Sequence, residues 1–141
     1  MDADFEGVLA ACRGDREPRW ITDDLVVALR DLHAAGWVRS IEVWDGDRLI
    51  GGLFGCALAG VFVMDSAFHR EPGAAKVAIA DLARRAAGGG ISVLDTQVRT
   101  EYTVRMGAFA LSRAEYLAQL AGDGGPGVID TRVGSARDLL V

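Results

Sequence analysis

The sequence predicts an α+β (mixed α/β) fold, a sheet covered by helices, on three observations. Ser40-Ile41-Glu42-Val43-Trp44 alternates as a half-buried strand does, and Asp45-Gly46-Asp47 after it is hairpin chemistry. Leu25, Ala28, Leu29 and Leu32, and later Ala75, Ile79, Leu82, Ala83 and Ala86, recur at helical spacing. Ile91-Ser92-Val93-Leu94-Asp95-Thr96-Gln97 reads as a buried strand that ends in polar side chains, set off by Gly88-Gly89-Gly90.

The first helix is expected around Val8-Leu9-Ala10-Ala11-Cys12, with Gly14 ending it. Thr22 can cap the second, and Asp23 and Asp24 suit the positive end of its dipole. Gly36 is a natural stop, and His33 near the helix end reads as structural. After the hairpin, residues 48–54 form the return strand and residues 57–64 a third strand. A glycine pair inside a strand, here Gly51-Gly52, marks a bulge or a close backbone approach. Pro72-Gly73 opens the next helix, on whose outer face Asp81 and Arg85 can pair at i,i+4. Residues 101–106 read as a short helix, residues 108–111 as a strand, and Ser112-Arg113-Ala114-Glu115 as the capping box of a last helix. Residues 1–121 are expected to form one domain, and residues 122–141 a flexible linker and a C-terminal tail that could dock or stay loose.

Composition narrows the function. The chain has 141 residues, half of them hydrophobic and 25% charged, enough for one domain with a real core. Its net charge is −5, with 20 acidic against 15 basic residues, which argues against a DNA-binding or general nucleic-acid coat protein. A protein that holds only the end of an RNA is not excluded by it. Cys12 and Cys56 lie far apart at no metal spacing and are expected to be reduced thiols. The first residues are acidic rather than basic, so no signal peptide is expected and a cytoplasmic location is. The longest apolar run, residues 49–64, is short for a membrane span and carries Gly51, Gly52, Gly55 and Gly60.

Asp95 and Gln97 stand at i and i+2, so along a strand they leave from one face. A carboxylate beside an amide can hold an amine and a carbonyl together. The plain alternative is that Asp95 caps a turn and Gln97 meets solvent.

In order along the chain stand Ser40-Ile41-Glu42-Val43-Trp44, Leu49-Ile50-Gly51-Gly52-Leu53-Phe54-Gly55, Asp65-Ser66-Ala67-Phe68-His69-Arg70, Ala75-Lys76-Val77-Ala78, Leu94-Asp95-Thr96-Gln97, Met106-Gly107-Ala108 and Arg113-Ala114-Glu115-Tyr116-Leu117. Together they resemble the leucyl/phenylalanyl-tRNA–protein transferases, over about residues 8–120. The resemblance implies a fold like the GCN5-related acetyltransferases. It implies transfer of leucine or phenylalanine from aminoacyl-tRNA to the amino end of a protein. It makes Trp20 a support for the terminal adenosine, and Asp95 and Gln97 the family's Asp-x-Gln pair. It makes Leu53, Phe62, Ile79, Leu82 and Leu94 the apolar pocket for the donor side chain, with Ser66 and Phe68 also on the substrate side. The chain departs from the pattern where Asp65 replaces a glutamate, Met64 a glycine, and Thr100-Glu101-Tyr102 an Asn-Asp-His. It is also read as lacking the family's N-terminal segment. The acceptor is therefore either a protein N-terminus or a small-molecule amine.

The donor would be an ester, an activated acyl group, so no metal, cofactor or covalent intermediate is required, and positioning supplies much of the rate. In this reading Gln97 orients the amine, Asp95 fixes Gln97, and Asp65 holds the acceptor's amine or charge. Leucine, phenylalanine or methionine would suit the pocket, whose residues any core would also contain. Two other classes stay open. Arg70-Glu71-Pro72-Gly73-Ala74-Ala75 loosely fits the pyrophosphate loop of an acyl-CoA-dependent N-acetyltransferase. A non-catalytic module that binds aminoacyl-tRNA or another partner would need no turnover at all.

Overall fold

Short-range signals set the ends of the helices. The computed structural model describes residues 1–14, 19–121, 125–132, 135 and 139. Helix α1 spans Phe5–Arg13, with the Asp4 carboxylate accepting from the Gly7 N–H and Gly14 closing it at φ 49°. Helix α2, Asp23–Ala34, starts where Thr22 accepts from the Leu25 N–H. His33 is structural, as expected: its ring stacks on Phe5 at 4.1 Å, and its Nδ1 lies 2.9 Å from the Val38 carbonyl.

The sheet has four strands in the order β1-β2-β3-β4 among the described residues. Strands β1 (Val38–Asp45), β2 (Arg48–Leu58) and β3 (Val61–His69) run antiparallel in a meander, and β4 (Val93–Asp95) joins β3 in parallel. Helix α3, Ala74–Ala87, makes the crossover to β4, followed by α4 (Glu101–Arg105) and α5 (Arg113–Leu120). The fold class is α+β, a mixed sheet with helices on both faces. Phe5, Val8, Leu9, Val26 and Leu29 of α1 and α2 meet Phe54 and Phe68 on one face. On the other, Ala78, Leu82 and Ala86 of α3 meet Ile41, Leu53 and Phe62.

Several sequence expectations are corrected. The return strand does not stop at Phe54 but continues to Leu58, and the third strand runs on through Asp65-Ser66-Ala67-Phe68 to His69. Ladder pairing carries both strands through the glycines and polar residues that read as breaks. Residues 108–111 form no strand, because no partner strand lies beside them. Strand β4 ends at Asp95, and Gln97 has φ 60°, so strand alternation does not carry past Asp95. Arg85 is not on an outer face: it is 3% exposed, packed with the buried side of α3.

The glycine pair does what such a pair implies. A Cβ on Gly51 would come within 2.6 Å of the Ala74 Cβ, and one on Gly52 within 2.6 Å of the Ile41 carbonyl oxygen. The ladder also slips by one residue between Val43 and Trp44, leaving Ile50 unpaired beside Gly51. Of the expected linker, residues 122–124 lie outside the described residues. Among the residues described beyond them, the Gly127 N–H donates to the Ala57 carbonyl at 3.0 Å, and Ile129 is 8% exposed.

Candidate functional site

A second register slip builds the site. Phe54 pairs with Ser66 and Gly55 with Met64, so Asp65 is the extra residue of a β-bulge. A bulge re-aims its side chain and raises the local twist. Gly55 permits it, since a Cβ there would collide with the Val63 carbonyl.

Asp65 is held from two sides. The Gln97 Nε2 donates to its Oδ1 at 3.0 Å, and the Cys56 thiol lies 3.5 Å from its Oδ2. The same Gln97 Nε2 donates to the Met64 carbonyl at 3.1 Å. Both partners are acceptors, which fixes the orientation of the amide and leaves its Oε1 as the acceptor to offer a ligand. Asp95 reaches the Gln97 backbone rather than its side chain: Oδ1 accepts from the Gln97 N–H at 2.7 Å, and Oδ2 from the Tyr116 hydroxyl at 2.8 Å. The short Asx-type bond holds Gln97 at its positive φ, a conformation uncommon for residues other than glycine. Tyr116 and Cys56 were missed by sequence reasoning. Tyr116 sat inside a capping-box helix, and Cys56 inside an apolar run.

The electrostatics follow from burial and proximity. Burial raises the Asp65 carboxyl above its ordinary range, the Cys56 and Gln97 hydrogen bonds pull it back, and the Asp95 charge adds to the rise. Burial, with the Asp65 charge behind it, pushes the Cys56 thiol up to about 11, so it stays a protonated donor at neutral pH. Burial and the Asp95 bond hold the Tyr116 hydroxyl up at about 12. Cys56→Val should therefore raise the Asp65 titration further, since a bond that favours the ionised carboxylate is lost, whereas Cys56→Ser should restore it. Carboxyl-carbon NMR across acid pH reads this directly, and an unmoved midpoint in Cys56→Val would discount the thiol.

Beside this cluster lies a cavity of about 460 Å³. Leu53, Ile79 and Leu94 line it, together with Asp65 and Ser66. Phe62 and Leu82 do not line it; both are 0% exposed and belong to the core beneath. The rest of the wall is Met64, Ala67, Ala83 and Thr96 and the 102–109 segment, with Tyr102, Met106 and Phe109. In sequence that segment reads as a short helix followed by a strand, not as a cavity wall; in the structure its Phe109 is 77% exposed. Trp20 does not line the cavity. It is 53% exposed and stacks on Phe54, ring centroids 6.4 Å apart at 17°. Arg16, four residues before it in the sequence and a cation suited to a nearby phosphate, lies outside the described residues. Phe68 is buried against α1 and α2, under the Arg70 guanidinium at 5.4 Å. Arg70 itself donates to the Leu49 carbonyl at 2.7 Å and Glu71 pairs with Arg48 at 3.5 Å, so the charges of the Arg70–Ala75 loop are engaged within the fold.

The site is thus a side-chain amide held by Asp65, with its backbone tied to Asp95, next to an apolar cavity on an α+β sheet. The chain belongs to the leucyl/phenylalanyl-tRNA protein transferase family, whose model matches residues 1–121. It is 42% identical to the leucyl/phenylalanyl-tRNA–protein transferase of Jannaschia sp. (strain CCS1) over 86% of this chain and 57% of that protein. Identity to the Rubrobacter xylanophilus transferase is also 42%, over 86% of this chain and 63% of the relative. The Shewanella baltica transferase is 40% identical over 83% of this chain and 51% of its own length. The chain thus spans between 51% and 63% of the length of these curated relatives.

Proposed function

We propose that the chain is an aminoacyltransferase that moves leucine, phenylalanine or methionine from aminoacyl-tRNA to an amine. The observation that carries the reading is the Gln97 amide, tied by Nε2 to Met64 and Asp65 and offering Oε1 beside an apolar cavity. In the reaction the neutral amine nitrogen attacks the ester carbonyl. The C–N bond forms, the C–O bond to the ribose breaks, and a proton leaves the nitrogen and ends on the ribose oxygen. Gln97 Oε1 accepts from the attacking N–H and orients its lone pair, and Asp95 fixes Gln97 through the backbone. Asp65 keeps the amide turned and favours positive charge developing on the nitrogen. The donor side chain occupies the cavity between Leu53, Ile79 and Leu94. Trp20 offers its open ring face to the terminal adenine, a stacking mode that needs no base-specific contact. The reaction requires neither metal nor cofactor, and the cytoplasm is where its donor is made. The acceptor is a protein N-terminus or a small-molecule amine.

The test is consumption of phenylalanyl-tRNA by the chain in the presence of amine acceptors, with acetyl-CoA as the competing donor. Acetyl transfer without aminoacyl transfer would sink the reading, and tRNA binding without turnover would leave a binding module. Donor choice gives a second expected result. Burying an unpartnered polar side chain in such a cavity costs about 1–3 kcal/mol, so seryl-, lysyl- and aspartyl-tRNA should be poor donors. Leucine and methionine should differ by no more than about 10–200-fold. A competition among charged tRNAs measures both, and a preferred polar donor would remove the cavity from the site.

A further inference from the structure

We infer that Tyr116 is a positioning residue for aminoacyl transfer: its hydroxyl locks the Asp95 carboxylate, and through that carboxylate the Gln97 amide. The inference rests on the aminoacyl-transfer reading and names what holds its machinery in place. The need for such a lock lies in β4. The strand has three residues, pairs with β3 from Val61 to Val63 and stands at the edge of the sheet, so beyond Asp95 no ladder guides the chain. Gln97 nevertheless sits at φ 60°, held by the bond from its N–H to Asp95 Oδ1 at 2.7 Å. One hydrogen bond leaves a carboxylate free to swing about χ2, because either oxygen can serve. A second bond, to the other oxygen, fixes its plane. The Tyr116 hydroxyl supplies it, donating to Oδ2 at 2.8 Å across a separation of 21 residues.

Helix α5 brings the hydroxyl there. Tyr116 and Gln119 stand at i and i+3, on one face of the helix. The Gly60 N–H donates to the Gln119 carbonyl at 3.1 Å, and the Ser92 hydroxyl donates to the Gln119 side chain, just before β4. The Gly60 carbonyl in turn accepts from the Ser92 and Val93 N–H groups at 2.9 and 3.1 Å. The helix therefore grips β4 at both ends, through Gln119 at its start and Tyr116 at its finish. Packing alone asks only for a ring at this position. The hydroxyl adds a bond to a charged partner, stronger than one between neutral groups. Burial first, and then the Asp95 bond and charge, hold the phenol up at about 12, so at neutral pH it keeps the proton it donates. Tyr116 lines a depression of about 500 Å³ together with Asp95 and Gln97, and does not line the apolar cavity. It acts on the alignment of the amide and not on the seat of the donor side chain.

Tyr116→Phe keeps the ring and removes the hydroxyl. In the full chain, with phenylalanyl-tRNA and an amine acceptor, it should lower kcat by about tenfold or more, the loss expected for a hydrogen bond to a charged group, with KM for the tRNA within about twofold. In a Gln97→Ala background the same substitution should cost no more than about twofold further, since a residue that acts through the amide has nothing left to position. Gln119→Ala is the control: it releases the Ser92 hydroxyl but leaves Asp95 bonded, and its kcat should stay within about twofold of the unaltered chain. A Tyr116→Phe loss that recurs in full without Gln97, that Gln119→Ala matches, or that falls on KM alone overturns the inference. So does an unchanged kcat, or a Tyr116→Phe chain that does not fold. NMR separates the lock from the transfer reading. The Gln97 N–H resonance, and the Gln97 side-chain amide protons with it, should shift in Tyr116→Phe and stay in place in Gln119→Ala. If the unaltered chain aminoacylates no amine, the transfer reading fails and these resonances alone judge the lock: their movement supports it, and their constancy overturns it.

Discussion

Gln97→Ala is expected to lower kcat/KM for aminoacyl transfer by about 10²- to 10⁴-fold, the range for a group that handles a proton-bearing nucleophile. The protein should remain folded, because Gln97 is exposed and contributes nothing to either core. Asp95→Asn should also lose activity, by a different route. An asparagine can still accept from the Gln97 N–H, but the charge is gone and one of its two side-chain atoms can no longer accept from Tyr116. Because both residues act through the position of one amide, the double variant should be no worse than roughly the poorer single. Single-turnover transfer from phenylalanyl-tRNA, beside a thermal melt of each variant, makes the comparison. Losses that multiply would mean that Asp95 and Gln97 act independently. A Gln97→Ala enzyme with near-normal turnover would remove the amide from the chemistry.

Arg85→Ala should have the largest effect on stability, about 3 kcal/mol or more. Arg85 is 3% exposed; its Nε donates to Asp81 at 2.6 Å, and its Nη1 donates to the Asp130 and Arg132 carbonyls at 2.8 and 2.6 Å. Removing one partner of a buried ionic network leaves the others desolvated and unpaired, which costs about 3–5 kcal/mol. The loss should reach the site's far neighbour as well, since the segment carrying Ile129 is pinned to α3 through these bonds. Urea unfolding reads the change in midpoint, and hydrogen exchange at Gly127 reads release of the segment. Arg132→Ala is the control: its side chain is 84% exposed, and a change within about 0.5 kcal/mol is expected. A comparably small change for Arg85→Ala would mean that the pin carries little of the stability.

Local chemistry along the chain was sufficient for the helices and for the hairpin. Thr22 and Ser112 act through bonds to residues three further on, and Gly14 through its own φ, so a short window of sequence holds the whole cause. The family's order of motifs likewise pointed to Asp65, Asp95, Gln97 and the cavity residues Leu53, Ile79 and Leu94. What the sequence could not hold was anything that depends on register or on a distant partner. Asp65 enters the site because the β2–β3 ladder slips by one residue opposite Gly55, and no local pattern specifies a slip. Gln97 faces Asp65 across a separation of 32 residues, by leaving the strand at a positive φ rather than by alternating along it. Arg85 and Asp81 have the spacing of a surface pair, and only the return of the chain at Asp130 and Arg132, 45 and 47 residues on, makes the arginine a buried one. Phe62 and Leu82 are as apolar as Leu53 and Leu94; whether such a side chain lines a cavity or fills the core beneath it is decided by which layer the sheet and α3 assign it to. Hydrophobic burial is non-directional, so sequence shows that a residue goes inside, and tertiary packing alone decides what it meets there.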